Sequence, residues 1–358
     1  MRGGENVLQE MMSLFPDTGI HTLVSDSAKL SPELRKRKIT PSALQNLPGA
    51  TKHYTKMLPL FPWAVRSIRI SKNTELVICS DASVVKGATI PEHAKMVCYC
   101  HSPPRYLWDL QEEYARQASA IGAAGRLVFK ASVPYVREFD RRSAQRVDHF
   151  IANSRFVQQR IQNCYGREST VINPPVDLEE FTPSGREPED FYFIVSQLVP
   201  YKRIDVAVDA FNALGKQLVV IGEGSELEAM RRRAERNIKF LGSKPKEVVN
   251  DHYRRCRALI FPGIEDFGIT PLEAMASGRP VIAYAKGGVL ETVIEGQTGF
   301  FFKEQTPTAL AQAVRDFEEL STPLLPKACR RQAEKFSSRL FRARFSSFLS
   351  SVACNGAG

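Results

Sequence analysis

Two glutamates with seven residues between them, Glu265 and Glu273, stand in the stretch Phe261-Pro262-Gly263-Ile264-Glu265-Asp266-Phe267-Gly268-Ile269-Thr270-Pro271-Leu272-Glu273-Ala274-Met275-Ala276-Ser277-Gly278. An apolar run ends at Phe261, a loop with glycines follows, and a helical pattern begins. Such a loop aims backbone N–H groups and the positive end of a helix at the carboxyl edge of a sheet. That edge is where α/β folds bind ligands, and the combination suits a diphosphate. Carboxylates at Glu265 and Asp266 suit hydrogen bonds from sugar hydroxyls. Thr270 is expected to cap the helix, with Pro271 at the first helical position and Glu273 closing a capping box. On that reading alone Glu273 merely caps. Gly278 fits the residue just past the helix end.

Other positions have the same character. Lys202 lies in Pro200-Tyr201-Lys202-Arg203, where a helical pattern begins. A cation there opposes the helix dipole, so an anionic ligand makes better sense of it than solvent does. His101 directly follows the apolar run Lys95–Cys100 and opens His101-Ser102-Pro103-Pro104. A histidine at the carboxyl end of a strand is a site candidate, and the alternative is a hydrogen-bonded structural histidine. Gly222-Glu223-Gly224 follows another apolar run, and glycine there permits close backbone approach to a ligand or simply a tight turn. Leu241-Gly242-Ser243 and Gly287-Gly288 stand at equivalent ends. Asn153-Ser154 reads as a helix cap. The seven cysteines are scattered, and no second Cys/His pair sits at zinc spacing from Cys98 and Cys100, so reduced core thiols and no metal site are expected.

The elements that must position these residues alternate in kind. Strands are expected at Phe191–Ser196, Gln217–Ile221, Ile238–Leu241, Ala258–Phe261, Pro280–Tyr284 and Gly299–Phe302, with helices near 203–214, 225–235, 246–256, 271–277, 288–294 and 307–319. Strand then helix, repeated, implies a parallel sheet covered on both faces, wound with right-handed crossovers. Earlier in the chain Leu76–Cys79, Lys95–Cys100, His149–Ala152 and Thr170–Ile172 read as strands. Helical patterns cover 5–14, 133–146 and 154–165, and 105–145 is largely helical. The proline-rich stretch 173–185 reads as a linker. One terminal helix is expected over Lys335–Val352.

This pattern resembles glycosyltransferase family four, the group-one glycosyl transferases, and among them the mannosyltransferase-like members. The residues that carry it are Glu265 and Glu273 around Phe267-Gly268-Ile269, together with Pro200-Tyr201-Lys202-Arg203 and Gly287-Gly288. The resemblance implies an α/β chain of GT-B architecture, two doubly wound Rossmann-like domains facing across a cleft. Residues 1–178 would form the acceptor-side domain, 186–330 the nucleotide-sugar domain, and 331–358 a helix returning to the first domain. It implies that Glu265, His101 and Lys202 act in catalysis, Glu265 on hydroxyls of the donor sugar and Lys202 on the leaving diphosphate. Glu273 would hold the ribose. Phe267, Gly268 and Ile269 would offer N–H groups to the donor, with Gly222, Gly242 and Gly4 lining the same ligand. Gln197 stands where the family often has an arginine, and Arg203 is expected to supply that charge. The family places Gly3-Gly4 in a loop after a first strand. Here the pair opens the chain, so the expectation is either a start codon assigned too far downstream or a sheet lacking one core strand.

Composition bounds what remains. With 358 residues, two domains are expected. No apolar run reaches the roughly 20 residues of a membrane span, and no signal-peptide pattern opens the chain, so a cytoplasmic protein is expected. The net charge of +10 is concentrated between Lys29 and Lys72, where ten Lys/Arg stand against Glu33 alone. The run Met57-Leu58-Pro59-Leu60-Phe61-Pro62-Trp63-Ala64-Val65 lies in the same stretch. Basic residues beside aromatics suit peripheral contact with the inner face of an anionic membrane, and the alternative is a solvated basic face beside an ordinary core helix. No nucleic-acid reader motif is present. The expected reaction moves a hexose from GDP-mannose or a UDP-hexose to a saccharide or polyprenyl-diphosphate-linked acceptor, with retention and without a metal or other cofactor. The alternatives are a non-catalytic sugar or nucleotide binder and a sugar-nucleotide epimerase.

Overall fold

The computed structural model describes residues 3–118, 123–320 and 326–354. Met1, Arg2 and the last four residues, which the domain expectations include, lie outside them, as does the Cys354 side chain. The chain divides into two compact units, 1–173 with 345–358 and 174–344.

The first unit is built on four parallel strands in the order β3 (Leu76–Asp81), β4 (Lys95–Cys100), β5 (His149–Ala152) and β6 (Thr170–Val171). A separate parallel pair, β1 (Ile20–Thr22) and β2 (Ile39–Pro41), is too short to announce itself in the sequence. Gly3 and Gly4 do not lie in a loop, contrary to expectation. They form the first turn of the helix Gly3–Leu14, which is tied down by the buried side chains of Val7, Met11 and Met12. The helical region is three helices: Arg105–Trp108, Gln111–Ala118 and the long Ala123–Gln145. Ser154 does cap the helix Arg155–Tyr165, accepting from the Val157 N–H at 3.0 Å. A fully buried lysine, Lys86, sits between Asp81, 2.8 Å away, and Asp140. Asp140 also accepts from the Trp108 and Tyr165 side chains, both at 2.9 Å. Burial opposes the charge on Lys86, but the two carboxylates outweigh it and hold the ammonium well above the usual lysine range.

The second unit holds six parallel strands: β7 (Tyr192–Val195), β8 (Leu218–Ile221), β9 (Ile238–Gly242), β10 (Leu259–Phe261), β11 (Val281–Tyr284) and β12 (Gly299–Phe302). Their spatial order is β12-β11-β10-β7-β8-β9. That is the Rossmann order, two βαβ halves running outward from a central pair. The central strands are buried on both faces, which explains why they read as continuous apolar runs rather than alternating ones. On one face the helix Ile204–Leu214 lays down Val206, Ala207, Ala210 and Phe211. On the other the helix Ile269–Ala276 supplies Leu272, Ala274, Met275 and Ala276. The strand order reverses between β7 and β10, so the loops after these two strands diverge and leave a crevice at the carboxyl edge. The terminal helix expected over Lys335–Val352 is the helix Ser338–Cys354, and a separate helix, Pro326–Glu334, precedes it; between the two the Phe336 carbonyl accepts from the Val176 N–H.

Candidate active site

Lys202 and Glu265 come from the two loops that flank this reversal, after β7 and β10, and their side chains form an ion pair. Both are largely enclosed, at 15% and 24% side-chain exposure, so the pair is screened less than a surface one. The chain brings Lys202 there through a tight turn, Pro200–Lys202, that ends on Arg203. Arg203 has φ 52° and is the one non-glycine residue in the left-handed region among those described. Such a conformation costs about 1–2 kcal/mol and is typical of functional sites. Its guanidinium is held by Asp205 at 3.0 Å and Gln305 at 3.2 Å, so its charge is largely spent within the protein. That weakens the expectation that it replaces the charge Gln197 lacks.

The helix after β10 does not start as its sequence suggests. Thr270 is not its cap. Gly268, at φ 84°, occupies the cap position and the helix begins at Ile269. The Phe261 ring would lie 3.1 Å from a Cβ on Gly268, so the turn closes against the strand it leaves. The backbone N–H groups of Phe267, Gly268 and Ile269 make no hydrogen bond within the described protein. They are donors at a helix start, as an anion site requires.

Glu273 is therefore free of capping duty. Its carboxylate accepts from the Tyr253 hydroxyl at 2.8 Å. Burial pushes this carboxyl up from 4.5 to about 7, and the Tyr253 bond pulls against that rise. Tyr253 itself is fully buried and escaped the sequence reading, since nothing in a spacing of twenty residues marks the contact.

Glycines brace the three loops against one another. A Cβ on Gly263 would lie 2.8 Å from the Lys202 carbonyl, and one on Gly288 would lie 2.3 Å from Phe267 Cα. The Gly288 N–H donates to the Glu265 carbonyl at 3.0 Å. Gly287-Gly288 thus fixes the Glu265 loop from the neighbouring strand. Gly222 is also forced, but by the protein rather than by a ligand: a Cβ there would meet the Ser196 carbonyl at 1.8 Å. Its N–H donates to the Gly242 carbonyl at 2.9 Å, which joins these two predicted positions at the ends of β8 and β9.

His101 and Gly4 belong to the first unit. The His101 Nε2 lies 2.8 Å from the Ser80 hydroxyl, and the Asn153 amide donates to the His101 carbonyl at 2.9 Å. A Cβ on Gly4 would stand 3.5 Å from the imidazole, so the glycine backbone packs on the ring. Among the described residues one group has metal-ligand proximity, Cys79, Asp81 and Cys98. Asp81 is committed there to Lys86 and to the Ser83 N–H, and burial pushes the Cys98 thiol up, away from the thiolate a metal needs.

A parallel sheet in Rossmann order, with a lysine–glutamate pair and bare N–H donors at its switch point, is shared in architecture with solved proteins of GT-B fold. The protein HepE of Anabaena, solved with UDP and glucose, superposes with a TM-score of 0.72 at 17% identity, over 98% of this chain and 96% of that one. Sucrose-phosphate synthase of Thermosynechococcus elongatus gives 0.71 at 17% identity, over 97% and 92%. Identities this low speak for the fold. Sequence decides the family: residues 1–180 match the Glycosyltransferase Family 4 model and residues 177–336 the Glycosyl transferases group 1 model. The chain belongs to glycosyltransferase family 4 and is a glycosyltransferase. It is 27% identical over 252 residues to an uncharacterized glycosyltransferase of Methanocaldococcus jannaschii, covering 64% of this chain and 70% of that protein. It is also 29% identical over 223 residues to D-inositol 3-phosphate glycosyltransferase of Geodermatophilus obscurus (53% and 49%). A third relative is the GDP-mannose-dependent alpha-(1-6)-phosphatidylinositol monomannoside mannosyltransferase of Mycolicibacterium smegmatis, 27% identical over 237 residues (56% and 62%). The matches to these last two span about half to three fifths of their length.

Proposed function

We propose that the chain transfers a hexose from a nucleoside-diphosphate sugar to a saccharide or lipid-linked acceptor, with retention of anomeric configuration. The observation that carries this reading is the pairing of Lys202 with Glu265 at the switch point, beside the unengaged N–H groups of residues 267–269. An entering diphosphate finds a cation and aligned donors there. Glu265, released from Lys202, accepts from hydroxyls of the sugar, and Glu273 accepts from the ribose. In the transfer the bond from the anomeric carbon to the diphosphate breaks and a bond to the acceptor oxygen forms on the same face. The departing phosphate oxygen takes the acceptor proton. Lys202 and the helix start stabilise the charge that develops on the leaving group, so this reading calls for no metal. Mannose is the favoured sugar because relatives at this level of similarity include one named as GDP-mannose-dependent.

The test is a thermal-shift panel of nucleoside diphosphates and their sugars, followed by transfer assays with and without a chelator. A shift with one nucleotide that Glu273→Ala loses supports the site and names the base. Proton NMR of the first product reads its anomeric configuration. No shift with any nucleotide, from a folded chain, would sink the reading, and an inverted product would sink the retention.

A further inference from the structure

The helix Ala123–Gln145 is apolar on two faces. Its inner face buries Val133, Val136 and Phe139. Its outer face carries Ala124, Leu127, Val128, Ala131 and Tyr135, all exposed, at the i, i+3, i+4, i+7, i+11 spacing of a helical stripe. Leu127 is 70% exposed, Val128 51% and Tyr135 56%. This helix packs on Tyr54–Leu60 and Phe61–Arg66, which expose Tyr54, Leu60 and Trp63. Six of the eight large hydrophobic residues exposed among the described ones therefore lie on three adjoining elements of one unit. Singly scattered exposed apolar side chains need no explanation, but a concentration of this kind marks a covered surface.

The charge beside it has one dominant sign. From Lys52 to Arg69 the chain carries Lys52, Lys56, Arg66 and Arg69 and no acidic residue, and all four are exposed. Arg126 and Lys130 flank the helical stripe, balanced in part by Glu112. No helix among the described residues is long and apolar enough to cross a membrane. An apolar stripe ending in Tyr135, with exposed Tyr54 and Trp63 on the adjoining elements and cations alongside, has the chemistry of the interface of an anionic bilayer.

We propose that this face, formed by Trp63, Leu127, Val128 and Tyr135 with Lys52 and Lys56 beside them, lies on an anionic lipid surface. The apolar side chains enter the headgroup boundary and the lysines meet lipid phosphates. The proposal stands apart from the assignment of donor and acceptor, because it uses none of those residues. The experiment is flotation of the full chain with vesicles of phosphatidylcholine alone and of phosphatidylcholine with 30 mol% phosphatidylglycerol, a composition of about one anionic lipid in three. Binding to the anionic vesicles only is expected. Leu127→Asp with Val128→Asp should weaken it roughly tenfold or more while leaving the circular dichroism and nucleotide-induced thermal shift intact, because both side chains point outward. Lys52→Glu with Lys56→Glu should weaken it by roughly fivefold per charge and flatten its salt dependence. Equal binding to both vesicles, or undiminished binding by the Leu127/Val128 variant, overturns the proposal. So does a dimer in light scattering that the same variant dissociates, since a second copy would then be the occupant.

Discussion

At the scale of single residues the site turns on who satisfies whom. Glu265 neutralises Lys202. Replacing Glu265 by Gln leaves an unpaired, mostly enclosed cation and removes the partner a diphosphate must displace. Glu265→Gln is therefore expected to bind nucleoside diphosphate about fivefold or more tighter while losing transfer, because a competing occupied state lowers apparent affinity by its population. Calorimetric titration checks this, and weaker binding would mean that Glu265 holds the nucleotide itself. Glu273 gives a pH signature. A carboxyl raised from 4.5 to about 7 in the folded state contributes stability that is complete below pH 4.5 and lost as pH rises through 7. The wild type should therefore lose up to about 3 kcal/mol across that window relative to Glu273→Gln. Urea melts of both proteins at several pH values between 4.5 and 8 measure it, and parallel curves would show that the carboxyl is not raised. Lys86 is a purely structural counterpart. Lys86→Met leaves Asp81 and Asp140 buried without their cation and should cost about 3–5 kcal/mol by the same melts.

At the scale of elements, the loops after β7, β10 and β11 act as one piece because glycines let their backbones touch. Gly288→Ala would drive a Cβ into Phe267 Cα and the Asp266 carbonyl, 2.3 and 2.5 Å away. The Glu265 loop must shift in response. The expected result is loss of the nucleotide-induced thermal shift, with a stability cost of about 1–3 kcal/mol. Gly215→Ala is the control. It has a left-handed φ, 68°, which Gly288 at φ −67° lacks, and nothing lies within 4 Å of its Cβ. It should lose about 1 kcal/mol and keep the shift. A Gly288 variant with an unchanged shift would mean that the loops move independently.

At the scale of the whole molecule, each unit has its own buried cores, two in the second and two in the first. Two calorimetric transitions are expected, with a nucleoside diphosphate raising only the one that belongs to residues 174–344, because a ligand stabilises the unit that binds it. A single transition that moves as one would show that the two units unfold cooperatively.

What the sequence determined by itself was the class of architecture and the roster of chemistry-bearing residues. Buried parallel strands must be apolar throughout, so β7 to β12 were legible as runs, and the glycine and glutamate positions at their ends followed. Short elements stabilised only by tertiary contact were not legible. β1 and β2 have three residues each, too few for a period to show. Thr270 failed as a cap because a left-handed glycine, Gly268, could turn the chain earlier, and local propensity yields to such packing. Only the tertiary structure decided that Lys202 meets Glu265 across 63 positions of sequence, that Tyr253 bonds Glu273, and that Gly222 yields to Ser196. It also decided that the helix Ala123–Gln145 turns an apolar stripe outward. A sequence states which residues are apolar or charged. Which of two apolar faces is buried depends on what folds against it, and that information lies in other segments of the chain.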